Sequence, residues 1–220
     1  MKLAVQTLFG LLFFAAVLFW PAGTFDYWQA WLFLAVFLAT TIVPSIYLAV
    51  RYPEALARRM KAGPTAETRP AQRIIMSLIL VLVTATFVLS ALDHRFGWSS
   101  VPVWLVIGGN VLVAVGLGIA QLVVVQNNYA AATVRVEADQ PLVSTGLYGR
   151  VRHPMYTGAA IMMLGTPLAL DSLWGLLGVA AAAPVIVARI RDEEQMLTTE
   201  LVGYGDYMAT VRFRLIPHVW

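Results

Sequence analysis

The segment Q-P-L-V-S-T-G-L-Y-G-R-V-R-H-P-M-Y-T-G, residues 140–158, is the longest polar, turn-rich stretch of the sequence that also contains a helix start. Proline suits the first position of a helix because its missing N–H would be unpaired there, and the residue before a proline is pushed towards extended geometry. The segment therefore predicts an extended approach that ends at His153 and a helix that begins at Pro154. The free N–H groups of its first turn, beside three nitrogen-rich side chains, predict a small anion site.

The composition around this segment is that of an integral membrane protein. Of the 220 residues, 60% are hydrophobic and 12% are charged, whereas a soluble domain has about 25% charged residues. The absence of cysteine excludes thiol catalysis, thiolate metal sites and disulfides. The histidines His94, His153 and His218 lack the spacing of metal ligands, so we expect no metal site. The net charge of +3 is attributed to cytoplasmic loops, and no nucleic-acid partner is expected.

The apolar segments predict an all-α, polytopic membrane fold. Four transmembrane helices are expected at residues 3–20, 27–50, 74–92 and 101–125. Two shorter runs, 155–170 and 172–188, are joined at Asp171 and predict a helical hairpin, which gives five to six spans. Residues 1–126 thus form a helical N-terminal region, and residues 127–220 hold the cofactor-binding segment, the hairpin and a cytosolic tail helix.

The distribution of basic residues predicts how these segments cross the membrane. With a cytoplasmic N-terminus, all of the 15 Lys and Arg residues except Arg95 fall on the cytoplasmic side, in agreement with the positive-inside rule. Both termini and the segment 140–158 are therefore expected at the cytoplasmic face. The basic stretch from Arg51 to Arg73 is interpreted as a solvated loop at the anionic leaflet, with a substrate or head-group contact as the alternative.

A second polar patch, R-I-R-D-E-E-Q-M-L at residues 189–197, is expected to meet the segment 140–158. Arg189 and Glu193 are four residues apart, so they share one side of a helix. Because a short connection makes the hairpin helices antiparallel neighbours, we expect these two residues at the depth of Pro154. Taken alone, the first patch is also compatible with membrane anchoring and the second with a solvated helix face. Held together by a hairpin, they indicate one pocket.

The motifs of the C-terminal half resemble those of the isoprenylcysteine carboxyl methyltransferase family, which is grouped with phospholipid methyltransferases among integral membrane methyltransferases. The resemblance runs from Asn127 to Pro217 and rests on G-L-Y-G-R-V-R-H-P-M-Y-T-G, an apolar hairpin, R-x-x-D-E-E-x-x-L, Y-G-D-Y and R-L-I-P. The four N-terminal spans match in hydropathy only. In the tail, L-V-G-Y-G-D-Y replaces the family's usual F-G-x-x-Y pattern, which leaves the packing of the tail open.

The resemblance implies an enzyme that transfers a methyl group from S-adenosyl-L-methionine to a lipophilic acceptor, with the cofactor at the cytosolic face. Arg189 matches the position that orients the acceptor. An amine acceptor would have to lose a proton, for which Glu194 is the candidate base, whereas a carboxylate acceptor needs none. The implied cofactor contacts are Gln140, Pro141, Leu142, Val143, Tyr148, His153, Pro154, Met155, Tyr156 and Glu193.

The chemistry of this cofactor suits the residue types. A helix N-terminus suits its carboxylate, and Glu193 suits its ribose hydroxyls or its ammonium. The rings of Tyr148 and Tyr156 suit the adenine or the sulfonium, and Gly158 would allow a close approach of the backbone. An isoprenylcysteine-like carboxylate is the acceptor that the resemblance favours. The alternatives are a phospholipid amine and a non-enzymatic transporter or assembly protein on the same fold.

Overall fold

The structure, a computed structural model, describes residues 9–137 and 140–220, and within these ranges the regular secondary structure is helical. Residues 3–8 of the predicted first span, and the N-terminus, lie outside the described residues. Short 3₁₀ turns occupy Pro64–Ala66 and Gly146–Gly149. The helices are α1 (Phe9–Ala22), α2 (Trp28–Arg51), α3 (Pro53–Met60), α4 (Pro70–Phe96), α5 (Val103–Gln126), α6 (Pro154–Ala169), α7 (Gly175–Glu200) and α8 (Tyr204–Thr210).

Among the described helices, α2, α4 and α5 are long and apolar enough to cross a membrane, and α1 is a shorter apolar helix. The predicted integral membrane fold, with N-terminal helices followed by a hairpin and a tail helix, is confirmed. The amphipathic α3 was not predicted, because its sequence lies in the basic stretch. It begins at Pro53, a favourable first position, and buries Ala55 against Leu48 and Val124.

Glycine contacts join α6 to α5. A Cβ atom added to Gly165 would lie 2.5 Å from the carbonyl oxygen of Gly109, and one added to Gly158 would lie 2.6 Å from that of Gly116. The backbones therefore approach as closely as small residues permit. Gly158, predicted to admit the cofactor, instead serves this helix packing. Two other α5 glycines, Gly108 and Gly118, have open space around them.

The two hairpin helices meet at their connection and then separate. At the connection, Gly175 of α7 lies against Pro167 of α6 and Ser90 of α4. Farther along, α6 packs mainly on α5, whereas α7 packs mainly on α4. The space between them is the cavity described below. We call the end of the bundle with the connection the closed end, and the opposite end, where α6 begins, the site end.

A buried carboxylate locks the closed end. Asp93, at the end of α4, is fully buried and accepts hydrogen bonds from the backbone N–H of Ser99 at 2.7 Å and from its hydroxyl at 2.6 Å. It also accepts from the Ser172 hydroxyl at 2.7 Å and from the backbone N–H of Trp174 at 3.3 Å. This single side chain therefore ties the end of α4 to the segments before α5 and α7.

The connection itself is fixed by Asp171, which has a positive φ of 58°. Its carboxylate accepts from the backbone N–H of Val101 at 2.6 Å and from the Gln29 amide at 2.9 Å. A left-handed backbone is unfavourable for most residues but tolerated by aspartate. These two bonds stabilise the sharp turn from α6 into α7.

Candidate functional site

A cavity of about 430 Å³ opens at the site end, within the range usual for small-molecule sites. Its inner part lies between α4, α5, α6 and α7 and is mostly apolar, with Met76, Phe87, Leu117 and Met162 in its wall. Its outer part, at the site end, has charged and polar side chains among apolar ones. All ten residues that the resemblance implies as cofactor contacts line this cavity: Gln140, Pro141, Leu142, Val143, Tyr148, His153, Pro154, Met155, Tyr156 and Glu193.

Tyr156 joins the two hairpin helices at the boundary between the polar and apolar parts. Its hydroxyl donates to Glu193 Oε2 at 2.6 Å and accepts from Arg189 Nε at 2.9 Å. Arg189 and Glu193 therefore lie on one face of α7, at the depth of the first turn of α6, as their spacing predicts. The hydroxyl bridges a cation and an anion, and so fixes the position of both.

Arg189 is also held by residues that sequence reasoning missed. Its Nη1 donates to Gln72 Oε1 at 2.7 Å, and its Nη2 donates to Glu67 Oε1 at 2.8 Å and to the carbonyl of Ala132 at 3.1 Å. With the bond to Tyr156, four of its five N–H groups are used, which leaves one at Nη1. Glu67 and Gln72 are 1% and 0% exposed. This part of the basic stretch is thus a buried part of the site, and its interpretation as a solvated loop was wrong.

Glu194 occupies a second buried cluster, next to the cavity. Its Oε1 accepts from Arg152 Nε at 2.7 Å and lies 3.2 Å from His153 Nε2, while its Oε2 accepts from Arg214 Nε at 2.8 Å. Burial alone would raise the pKa of Glu194, but the hydrogen bonds from these three groups outweigh it and lower the pKa to about 2.

This geometry corrects the expectation that Glu194 is a base for an amine acceptor. Of the two candidate catalytic residues, only Arg189 is among the described residues that line the cavity. A carboxylate held by three nitrogen groups is a weak proton acceptor, because protonation would break its hydrogen bonds. Glu194 is therefore a structural clamp between the start of α6, the C-terminal part of α7 and the tail.

The tail packs against the outer side of the site. The backbone N–H of His153 donates to the carbonyl of Arg214 at 2.9 Å, so the extended approach to Pro154 pairs with the tail. The Tyr207 hydroxyl donates to the carbonyl of Tyr148 at 2.7 Å. The unusual tail sequence thus forms a short helix with its own buried cluster, made of Leu201, Tyr204, Tyr207 and Val211.

Two tyrosines in the polar part of the cavity differ in how their hydroxyls are satisfied. Asn127 donates to the Tyr148 hydroxyl at 3.2 Å, and burial raises the pKa of Tyr148 to about 12, so this hydroxyl is neutral at pH 7. The Tyr204 hydroxyl is buried and has no hydrogen-bond partner among the described residues. Because buried polar groups are nearly always paired, Tyr204 is an available contact for a ligand.

Known proteins share this architecture. The family model for phospholipid methyltransferase, PEMT, matches residues 104–204, which include the segment 140–158 and the hairpin. The solved structure of the eukaryotic intramembrane Ras methyltransferase ICMT (isoprenylcysteine carboxyl methyltransferase), without a monobody, is similar in fold. The structural match covers 100% of this chain and 88% of the ICMT chain, with a TM-score of 0.54 and 17% sequence identity. At this identity the likeness is one of fold.

One curated relative is named as a reductase and not as a methyltransferase. Delta(14)-sterol reductase TM7SF2 from Mus musculus is 33% identical over 91 residues, which are 40% of this chain and 22% of the relative. The match therefore spans about a fifth of the length of that protein. The family match and the shared fold support the family resemblance predicted from the sequence, which is to the phospholipid methyltransferases and isoprenylcysteine carboxyl methyltransferase.

Proposed function

We propose that this protein is a membrane methyltransferase that uses S-adenosyl-L-methionine and methylates a lipophilic acceptor. The observation that carries the proposal is one cavity with two kinds of lining: the ten implied cofactor contacts, which include charged and polar side chains, towards the site end, and apolar side chains at its inner end. A reaction between a polar cofactor and a lipophilic acceptor needs both surfaces in one place, because the two reactants must be held in contact.

The residues present fit this cofactor. Glu193 lines the cavity and forms no salt bridge with any described residue, so its carboxylate suits an ammonium group or ribose hydroxyls. The hydroxyl of Tyr204, which has no partner among the described residues, suits a hydrogen-bond acceptor of the ligand, and the rings of Tyr148 and Tyr156 suit the adenine or a sulfonium. When bound, the cofactor supplies a methyl group carried on a sulfonium.

The protein's own contribution is positioning and the exclusion of water. The remaining N–H of Arg189 at Nη1 can orient an anionic acceptor group, while the apolar wall holds the lipophilic chain. Glu194 is a weak proton acceptor because three nitrogen groups bind its carboxylate, so it does not suit the deprotonation of an amine acceptor. Methylation of a carboxylate needs no base. We therefore favour carboxyl O-methylation of an isoprenylcysteine-like molecule over N-methylation of a phospholipid amine.

We place the site at the cytoplasmic face, with both termini in the cytoplasm. The support is the distribution of charge, because every Lys and Arg except Arg95 belongs to a segment on the side of the cavity opening under the predicted topology. Soluble S-adenosyl-L-methionine reaches the cavity from that side in this arrangement, and the lipophilic acceptor reaches it from the bilayer.

Calorimetric titration of the purified protein in native lipid with S-adenosyl-L-methionine tests the proposal. We expect saturable binding by the wild type, weaker binding by Glu193→Gln and His153→Ala, and wild-type binding by Glu200→Gln, which changes an exposed acid at the end of the same helix. No binding by the wild type would overturn the proposal. If Glu193→Gln were also tolerated in the cell, the transporter or assembly hypothesis would be preferred.

The match to a sterol reductase supports a second candidate, a reductase of a lipophilic alkene. Reduction of a carbon–carbon double bond needs a hydride donor, such as a reduced nicotinamide dinucleotide. The same titration with NADPH distinguishes the two candidates. Saturable binding of NADPH without binding of S-adenosyl-L-methionine would favour the reductase, and the reverse would favour the methyltransferase.

A further inference from the structure

Most of the charged side chains that line the cavity have a partner of opposite charge. These pairs are Arg189–Glu67 at 2.8 Å, Arg135–Glu137 at 2.7 Å and Arg152–Glu194 at 2.7 Å. Two others line the cavity without a salt bridge to any described residue, namely Arg59 and Glu193. Among the described residues, the wall of the cavity therefore carries one cation and one anion without a salt bridge, and this anion, Glu193, is linked to Arg189 only through the Tyr156 hydroxyl.

Arg59 is held at the cavity by the packing of α3. The same helix buries Ala55 against Leu48 and Val124, and Met155 of α6 packs at the edge of this cluster. Arg59 Nη1 donates a hydrogen bond to the sulfur of Met155 at 3.2 Å, and the described residues offer its guanidinium no other acceptor. A thioether is a weak acceptor, so the guanidinium is poorly satisfied by the protein.

The guanidinium contacts a side chain of the first turn of α6, that of Met155. Thr157 is the first residue of α6 whose N–H bonds back, to the carbonyl of His153 at 3.1 Å, so the N–H groups of Met155 and Tyr156 precede the helical ladder. A helix N-terminus and an adjacent guanidinium both favour an anion. Burial lowers the pKa of Arg59, and the nearby Tyr148 acts in the opposite direction. Among the described residues, this partly buried cation thus lacks an anion that would offset its loss of hydration.

We propose that Arg59 and the first turn of α6 form a carboxylate subsite, which holds the amino-acid end of the cofactor while Glu193 holds its ammonium group. This inference rests on the proposed function. An amino acid at neutral pH carries one anion and one cation, which matches the two charges of the wall that have no salt bridge to a described residue. Arg59, Tyr148 and Glu193 all line the cavity, and the charges of Arg59 and Glu193 both act on the pKa of Tyr148, so both charged side chains lie in the neighbourhood of this ring. A carboxylate on the acceptor is the other source of the same chemistry.

The test compares two ligands that differ only in this group, S-adenosyl-L-methionine and its decarboxylated form. Both are titrated into the wild type, Arg59→Gln, Arg59→Lys and the control Lys61→Gln, which removes an exposed charge just after α3. We expect the wild type and Lys61→Gln to prefer the carboxylated ligand by about 10- to 100-fold. Arg59→Gln should bind both ligands alike, and Arg59→Lys should restore part of the preference because it keeps the charge.

A second arm distinguishes the source of the carboxylate. N-acetyl-S-farnesylcysteine and its amide are titrated into the same four proteins with the cofactor present. If Arg59→Gln keeps its preference for the carboxylated cofactor but loses a preference for the farnesylcysteine carboxylate, the subsite exists and receives the acceptor. If Arg59→Gln matches Lys61→Gln in both arms, the inference is overturned. If the wild type binds no S-adenosyl-L-methionine, the proposed function itself fails, and the inference falls with it.

Discussion

The closed end and the site end of the bundle both contain buried acidic side chains, yet the two ends are built differently. At the closed end, the carboxylate of Asp93 meets hydroxyl and backbone donors, and four hydrogen bonds from described residues satisfy it. At the site end, Glu67 and Glu194 are paired with arginines, whereas Glu193 and Arg59 have no salt bridge to a described residue.

This difference separates the parts of the molecule that hold the fold from the part that can bind a ligand. A fully satisfied acid fixes neighbouring segments, because removing it leaves several buried donors without a partner. An uncompensated charge in a cavity wall costs stability unless a ligand pairs with it. Changes at the closed end should therefore alter the stability of the fold, and changes at Glu193 or Arg59 should alter binding.

The largest expected effect is that of Asp93→Ala. It leaves the donors of Ser99, Ser172 and Trp174 buried without their acceptor, so we expect a loss of about 4 kcal/mol in the free energy of unfolding. Denaturant unfolding in detergent measures it, with the exposed Asp26→Ala as the control. Folded Asp93→Ala should keep wild-type affinity for S-adenosyl-L-methionine. A matching loss of affinity would show that the two ends are not independent.

Glu194→Gln should lower the free energy of unfolding by about 3 kcal/mol at pH 7, because the pKa of Glu194 falls from an ordinary 4.5 to about 2 in the folded protein. A lowered pKa stabilises the fold at pH values above about 4.5, and this contribution is lost as the pH falls towards 2. The gap in unfolding free energy between wild type and Glu194→Gln should therefore narrow between pH 5 and pH 3. The control Glu200→Gln should show no gap, and a pH-independent gap would contradict the clamp.

Gly116→Ala tests the seam between α5 and α6 on which the site is built. The added Cβ would lie 2.6 Å from the backbone nitrogen of Met162, so α6 must move, at a cost of about 2 kcal/mol. Cofactor binding should weaken as well, because α6 carries Tyr156. Gly118→Ala, which has open space around it, is the matched control and should be neutral or slightly stabilising. Equal behaviour of the two variants would contradict this seam.

Tyr156→Phe should have the smallest effect. It removes the hydroxyl that links Arg189 and Glu193 while keeping the ring. We expect the free energy of cofactor binding to weaken by about 1 kcal/mol, which is roughly five- to tenfold in affinity, with little change in the free energy of unfolding. Titration calorimetry measures it against Tyr47→Phe, whose ring is about half exposed on α2. A large loss of stability with unchanged binding would assign Tyr156 to the fold and not to the site.

Local rules in the sequence were sufficient for the framework of the site. Proline geometry predicts the start of α6 at Pro154, and the helical period together with a short connection predicts that Arg189 and Glu193 meet the first turn of α6. These features depend on neighbours in sequence or on one hairpin, so no knowledge of the rest of the fold is needed.

The partners of the charged groups were not accessible in this way. Glu67 and Arg59 lie in a basic stretch whose pattern is that of a solvated loop, and their burial depends on how α3 and the segment 127–137 dock on the bundle. Glu193 and Glu194 are adjacent, but a helix turns by about 100° per residue. One therefore faces the cavity and the other faces Arg214, a partner that only the folded tail brings near.

The transfer of a labelled methyl group tests the central claim most directly. Membranes containing the wild type, Glu193→Gln or Glu200→Gln are incubated with S-adenosyl-L-methionine labelled in its methyl group, and the extracted lipophilic molecules are identified by mass. We predict base-labile methyl ester label in the wild type and Glu200→Gln samples and at least tenfold less with Glu193→Gln. Equal label in all three samples and in membranes without the protein would contradict the account.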